Sequence, residues 1–271
     1  MRMDMGICVI AIDWSGDRRT AHRKTWLAEV VQDRLVRLEA GRHRELVAEH
    51  LIELARRDPR MVVGLDFAFS LPRWFLDSRD LSSAAELWAL AEREAEAWLA
   101  TCTSPFWGRP QKMRSLDVPD EYRRTELDVG STAGIRPKSV FQIGGAGAVG
   151  TGSLRGMSTL RRLRAAGFSI WPFDPPVWPR VIEIYPRVLT GAVNKSSQSG
   201  RLGYLSDKYP DLDDDLLEQA ARSEDAFDAA VSALVMATYL DELVNLLPAS
   251  DRHAALEGLI WYPGLCHREL T

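Results

Sequence analysis

Up to residue 66 the apolar positions come in short runs. ICVIAI ends at Asp13, WLAEVV and RLVRLE flank Gln32-Asp33, and MVVGL leads into Asp66. Runs of this length bounded by turn-forming residues predict strands, and Gln32-Asp33 predicts a tight turn joining the second and third. Residues 6 to 39 therefore read as a three-stranded antiparallel meander. From Arg42 to Arg57 the period changes: Leu46, Val47, Leu51, Leu54 and Ala55 recur at helical spacing, and Asp58-Pro59 ends the helix before the fourth strand. A further helix spans residues 83 to 101, where Ser83 and Glu86 make a capping-box pattern and Leu87, Leu90, Ala91, Ala95 and Trp98 share one face.

From Pro105 to Thr151 periodicity fades while Pro and Gly increase, although Phe106, Trp107, Tyr122 and Phe141 argue against plain disorder. A helix resumes near Ser158 and stops at Gly167, ahead of the short run FSIWPF. Pro172, Pro175, Pro176 and Pro179 then stiffen the approach to RVIEI. The last long helix is capped by Ser223 and carries Phe227, Val231, Leu234, Val235 and Thr238 on its apolar side. The pattern predicts an α/β fold in one domain, residues 1–271. Its mixed sheet joins the meander to parallel strands and is flanked by helices, with a large helical and irregular insertion, residues 70–179, between the fourth and fifth core strands.

Charge modifies this picture. Net charge is −4, which argues against a general nucleic-acid coat. The average hides an asymmetry, since residues 105–165 hold eleven Lys and Arg against five acids and so carry +6, leaving −10 for the remainder. An acidic body with one basic segment suits an enzyme whose acids bind a cation while its bases draw in phosphates. A solvated, arginine-rich face accounts for the same charge equally well. Cys8, Cys102 and Cys266 lack metal-type spacing, and the five histidines form no HxH or HExxH pair. The apolar run before Asp13 is too short for a membrane span. The expectation is a cytoplasmic protein without a zinc site or membrane association.

Asp13, Asp66 and Glu183 stand at or near the tips of three strands, and Asp225 and Asp228 project about 60° apart from the last long helix. In a mostly parallel sheet, side chains at the carboxyl ends of strands meet in one crevice. Like charges held there repel unless a cation neutralises them. Asp13, Asp66, Glu183, Asp225 and Asp228 are thus the candidate catalytic set. Asp13, Asp66 and Asp228 are the expected ligands of Mg²⁺ or Mn²⁺, hard ions that take oxygen donors. Two such ions about 4 Å apart would serve both oxygens of an in-line phosphodiester displacement. Substrate contacts are expected from Lys138, Gln142 and Arg155 in KSVFQIGGAGAVGTGSLRGM, where glycines let backbone amides approach an anion. Trp107 and Arg109 in SPFWGRPQK add the interleaved ring and cation of single-strand binders. The structural alternatives are turn roles for Asp13 and Asp66, a salt bridge for Glu183, a hinge for the glycines and packing for the aromatics. Glu257 in EGLIWYP is a further candidate that can equally be structural.

AIDWSG, VVGLDFAFSLP, KSVFQIGGAGAVGTGSLRGM, IWPFD, EIYPR, SEDAFDAAVSALVMA and EGLIWYP together resemble the family called domain of unknown function 429, described as predicted RNase H-like nucleases. The resemblance covers nearly the whole chain. It implies an RNase H-like fold with Asp13 as the strand-one acid, Asp66 as the strand-four acid and Asp225 with Asp228 as the terminal-helix pair also seen in Holliday-junction resolvases. Glu183 belongs to the EIYP element. Resolvases commonly carry Glu on the fourth strand, where this chain has the shorter Asp66. The combined expectation is a Mg²⁺- or Mn²⁺-dependent nuclease acting on DNA or RNA, and a resolvase-like role would fit a homodimer. Two other readings compete. One is an ATP-binding phosphotransferase of the same fold, allowed by DWSG and GGAGAVGTG, although only one copy of the fold is found. The other is a non-catalytic scaffold that binds nucleic acid or protein through its basic insertion.

Overall fold

Val9, Ile10, Ala11 and Ile12 are all fully buried, so the first strand needs cover on both faces. A computed structural model, which describes residues 6–135 and 137–265, places that strand in the interior of a seven-stranded sheet. Cys266 and Arg136 lie outside the described residues. The chain runs β1 (Cys8–Asp13), α1 (Ala21–Lys24), β2 (Trp26–Val31), β3 (Arg34–Glu39), α2 (Arg44–Arg57) and β4 (Met61–Leu65). Four helices follow, α3 (Arg73–Asp77), α4 (Ala84–Thr101), α5 (Arg124–Ala133) and α6 (Val149–Ala165), and then β5 (Ser169–Ile170) and β6 (Arg180–Ile184). The remainder is α7 (Pro186–Thr190), α8 (Gln198–Lys208), α9 (Asp214–Ala221), α10 (Glu224–Thr238), α11 (Leu240–Val244), α12 (Arg252–Glu257) and β7 (Ile260–Trp261).

The strand order is β3-β2-β1-β4-β6-β5. β1, β2 and β3 are antiparallel neighbours, as the meander pattern predicts, and Gln32 and Asp33 supply the turn with φ of 49° and 61°. β4 lies parallel to β1 and to β6. β5 and β7 both run parallel to β6 and divide its outer edge: Arg180 and Val181 pair with β5, Glu183 and Ile184 with β7. Successive strand residues face opposite sides of a sheet, which splits the core in two. Ile10 and Ile12 pack with α2, α4 and α6, whereas Val9 and Ala11 pack with α8, α9 and α10.

The stretch from residue 105 to 151 is more ordered than its composition predicts. Phe106 stacks on Trp98 with ring centroids 5.6 Å apart and meets Phe75 and Phe141, all in one aromatic core. Helix α5 lies inside this stretch, although its sequence RTELDVGSTA offers few apolar residues. α6 begins at Val149, nine residues ahead of the expected Ser158, and includes Gly150, Gly152 and Gly156. Tertiary packing overrides the low helix propensity of glycine here. A Cβ on Gly156 would lie 2.5 Å from the Phe67 ring, and one on Gly150 would lie 2.2 Å from the Val140 carbonyl oxygen. Among the described residues no helix is long and apolar enough to cross a membrane.

Candidate active site

The parallel register aligns Ile12 with Leu65, so Asp13 and Asp66 emerge side by side at the carboxyl ends of β1 and β4. The Asp66 N–H donates to the Ile12 carbonyl at 3.1 Å, extending the ladder one step beyond the strands. The two carboxyl groups are near enough for each to act on the other's charge. α10 packs across β1 and β2, its amino end capped by the Ser223 hydroxyl accepting from the Ala226 N–H at 3.0 Å. Asp225 in its first turn is partly buried, and Asp228, one turn further, is 8% exposed. Asp228 Oδ2 accepts from the Lys195 ammonium, while Oδ1 is buried without a hydrogen-bond partner.

Crowding of carboxylates governs the electrostatics. Burial, then the charges of Asp66, Asp225 and Asp228, hold the Asp13 carboxyl well above the ordinary carboxylate range, and Lys195 opposes them. Burial pushes Asp66 up to about 8, Asp228 adding to the effect and Lys195 opposing it. Asp225 and Asp228 are raised too, by burial first. Lys195 is the residue that sequence reasoning missed: it sits in the polar stretch GAVNKSSQSG, which looks like any solvated loop.

The donor set fits a hard divalent cation. It comprises two carboxyl groups at aligned strand ends and a third with an orphaned buried oxygen, all acceptors once ionised. Among the described residues no three His, Cys, Asp or Glu side chains are already drawn together as a coordination shell.

Raised carboxyl groups make the metal-free protein pH-sensitive. With Asp66 at 3.8 unfolded and about 8 folded, the native state binds the extra proton between those values, so stability is fully present below the lower value and is lost as pH rises through the upper. Urea unfolding with EDTA should give a lower midpoint at pH 8 than at pH 5, and Mn²⁺ at pH 8 should restore it.

Glu183 borders this cluster, its charge acting on Asp66 across the cleft they both line, but its carboxylate is engaged elsewhere. Although Leu65 aligns with it across β4 and β6, its side chain is 2% exposed and fully engaged. Oε2 accepts from the Phe69 N–H at 2.8 Å and from Arg123 Nη1 at 2.9 Å, and Oε1 accepts from Arg123 Nη2 at 2.5 Å. Arg123, itself 0% exposed, also donates to Glu126 Oε1 at 2.8 Å and to the Glu257 carbonyl at 2.9 Å. The salt-bridge alternative therefore describes Glu183. Glu257 is structural as well: its two carboxylate oxygens accept from the Arg73 and Arg124 N–H groups at 2.7 and 2.8 Å, tying together the amino ends of α3 and α5.

A cleft of about 290 Å³ opens beside Asp66, bounded by Trp14, Tyr185, Lys138 and the Gly147–Val149 turn at the start of α6. Lys138 is exposed at its rim and has no ion-pair partner among the described residues. Other expected substrate contacts are occupied internally. Gln142 Nε2 donates to the carbonyls of Gly144 and Ala146 at 3.2 and 2.9 Å, clasping its own loop. Arg155 donates to Glu96 at 2.6 Å and to the Gly16 carbonyl at 2.5 Å, so it anchors the turn after β1. Trp107 is bridged through its backbone to Phe141 and Ile143, with its indole nitrogen buried. Arg109 is exposed on the adjoining turn. The cations of α6 are spent largely on nearby acids, Arg161 on Glu92 and Arg162 on Glu49. Arg109, Lys112 and Lys138 are left as exposed cations without an acidic partner among the described residues.

The glycines permit close packing rather than a hinge. A Cβ on Gly16 would lie 2.4 Å from the Gly152 backbone nitrogen. Gly16→Ala should therefore push α6 away from the turn that follows Asp13, costing about 1–3 kcal/mol in urea unfolding.

Comparison of the chain with known families, with curated proteins and with solved structures returns no match.

Proposed function

We propose that this protein is a divalent-cation-dependent hydrolase of phosphodiester bonds in nucleic acid, on an RNase H-like sheet. The strand order supports the fold assignment: an antiparallel β3-β2-β1 set continues into parallel β4 and β6, with α10 across it. The observation that carries the reading is the placement of Asp13 and Asp66 at the aligned carboxyl ends of adjacent parallel strands, with the orphaned oxygen of Asp228 on the helix packed across β1. Such a cluster is costly unless a cation joins it, and perturbed groups of this kind concentrate at functional sites.

Asp13, Asp66 and Asp228 would hold Mg²⁺ or Mn²⁺, which supplies Lewis acidity toward a phosphoryl oxygen and toward water. Asp225, partly exposed at the mouth of the cluster, would accept the proton of the attacking water. The water oxygen would bond to phosphorus as the ester P–O bond breaks, and the departing alkoxide would take up a proton from solvent. Lys138, Arg109 and Lys112 would attract the neighbouring phosphates, and the cleft beside Asp66 gives the strand a path past the acids. The test is cleavage of labelled single-stranded, duplex and branched DNA and RNA in Mg²⁺ or Mn²⁺. Metal-dependent product that EDTA abolishes is expected, and absence of turnover on every substrate rejects the proposal.

One observation favours a second reading. Lys195 already neutralises part of the cluster without any metal, as a non-catalytic scaffold would require. That reading expects salt-sensitive nucleic-acid binding that persists in EDTA and in Asp13→Asn.

A further inference from the structure

Lys195 lies between α7 and α8, yet its position is fixed. Its carbonyl accepts from Arg201, a residue 5% exposed whose Nε also donates to the Ala221 carbonyl at 2.9 Å and whose Nη2 reaches the Arg222 carbonyl at 3.4 Å. Ser197 caps α8 through its hydroxyl, which accepts from the Gly200 N–H at 3.1 Å. The lysine backbone is thus pinned to the turn that opens α10, the helix carrying Asp225 and Asp228. Its side chain is about one-fifth exposed, at 21%, and the ammonium donates to Asp228 Oδ2. From there its charge acts on Asp13, Asp66, Asp225 and Asp228 alike, whereas Lys24 also acts on Asp225.

This arrangement leaves two kinds of oxygen at one centre. Asp228 Oδ2 has a cation, and Asp228 Oδ1 has none. A divalent ion on Asp13, Asp66 and Oδ1 would meet oxygens only. A second ion on Oδ2 would have to share that oxygen with the ammonium already on it, bringing two like charges together. We infer that the Lys195 ammonium serves as the centre's second cation, so that the site takes up one divalent ion rather than two. In the hydrolysis proposed above, on which this inference rests, Lys195 would steady a phosphoryl or leaving oxygen where two-metal centres use an ion.

Stoichiometry tests this directly. Mn²⁺ is titrated into the full-length chain and followed by electron paramagnetic resonance and calorimetry, for the wild type, Lys195→Arg and Lys195→Met. One Mn²⁺ per chain is expected for the wild type and Lys195→Arg, and two for Lys195→Met, where the uncharged side chain opens the second position. No Mn²⁺ on the wild type would overturn the metal-dependent reading itself. Two on the wild type, or one on Lys195→Met, would overturn the lysine assignment and leave that reading standing. Should Lys195→Met fail to unfold cooperatively, Lys195→Gln, which keeps a polar side chain without the charge, takes its place with the same expectation of two ions, and one ion there overturns the lysine assignment.

Discussion

Arg123→Ala is expected to destabilise the protein by about 3–5 kcal/mol, the range for removing one partner of a buried ion pair. The guanidinium is 0% exposed and stands between the carboxylates of Glu126 and Glu183, both nearly inaccessible to water. Deleting it strands two charges that cannot be rehydrated without opening the structure. Burial already holds Glu126 up to about 7 with the arginine present. Without the arginine Glu126 would bind its proton more tightly, so the variant's deficit should grow as pH rises through neutrality and shrink in acid. Urea unfolding at pH 5 and pH 8 measures this, and an equal deficit at the two values would count against the account. Adding Glu126→Gln and Glu183→Gln to Arg123→Met should recover much of the loss, because a neutralised network lacks the stranded charges. The damage should also reach the acids: Glu183 holds the Phe69 N–H, three residues beyond Asp66.

That network marks where the sequence was legible and where it was not. Asp13 and Asp66 follow apolar runs directly, and Asp225 with Asp228 share a helix edge, so local periodicity was enough to bring these four together. Glu183 looks the same locally, being an acid in a β-like run. What separates it is Arg123, sixty positions earlier in a stretch whose composition reads as irregular. The α5 segment around it owes its place to buried ion pairing and to Glu126 accepting from the Arg123 N–H, neither of which leaves an apolar repeat. The glycine-rich run gave a genuine signal of close backbone approach. The partner proved to be the chain itself, at Gly16, Phe67 and the Val140 carbonyl, and a one-dimensional pattern does not say who approaches. Lys195 left no local trace at all, since its importance comes entirely from the acid it faces.

Asp13→Asn is expected to move activity and stability in opposite directions. If the acids hold a cation, losing the carboxylate at the centre of the cluster removes both a ligand and charge, and metal-dependent cleavage should fall by about 10²-fold or more, the scale seen when one preorganised electrostatic group is lost. The metal-free protein should become more stable. Asp13 is pushed far from its ordinary range by burial and by three neighbouring carboxylates, and an asparagine keeps nearly the same shape with none of that repulsion. Each unit of pKa displacement is worth about 1.4 kcal/mol, so relief of even one unit should raise the midpoint of thermal unfolding by about 2–4 °C in EDTA at pH 8. The gain should vanish at pH 4, where the wild-type carboxyl is already protonated. Mn²⁺ should stabilise the wild type and leave the variant nearly unchanged, reversing their order. A structural turn role for Asp13 requires the opposite pattern, with stability lost in EDTA and the same response to Mn²⁺ in both proteins, so the sign of one difference in unfolding temperature separates a cation centre from a turn.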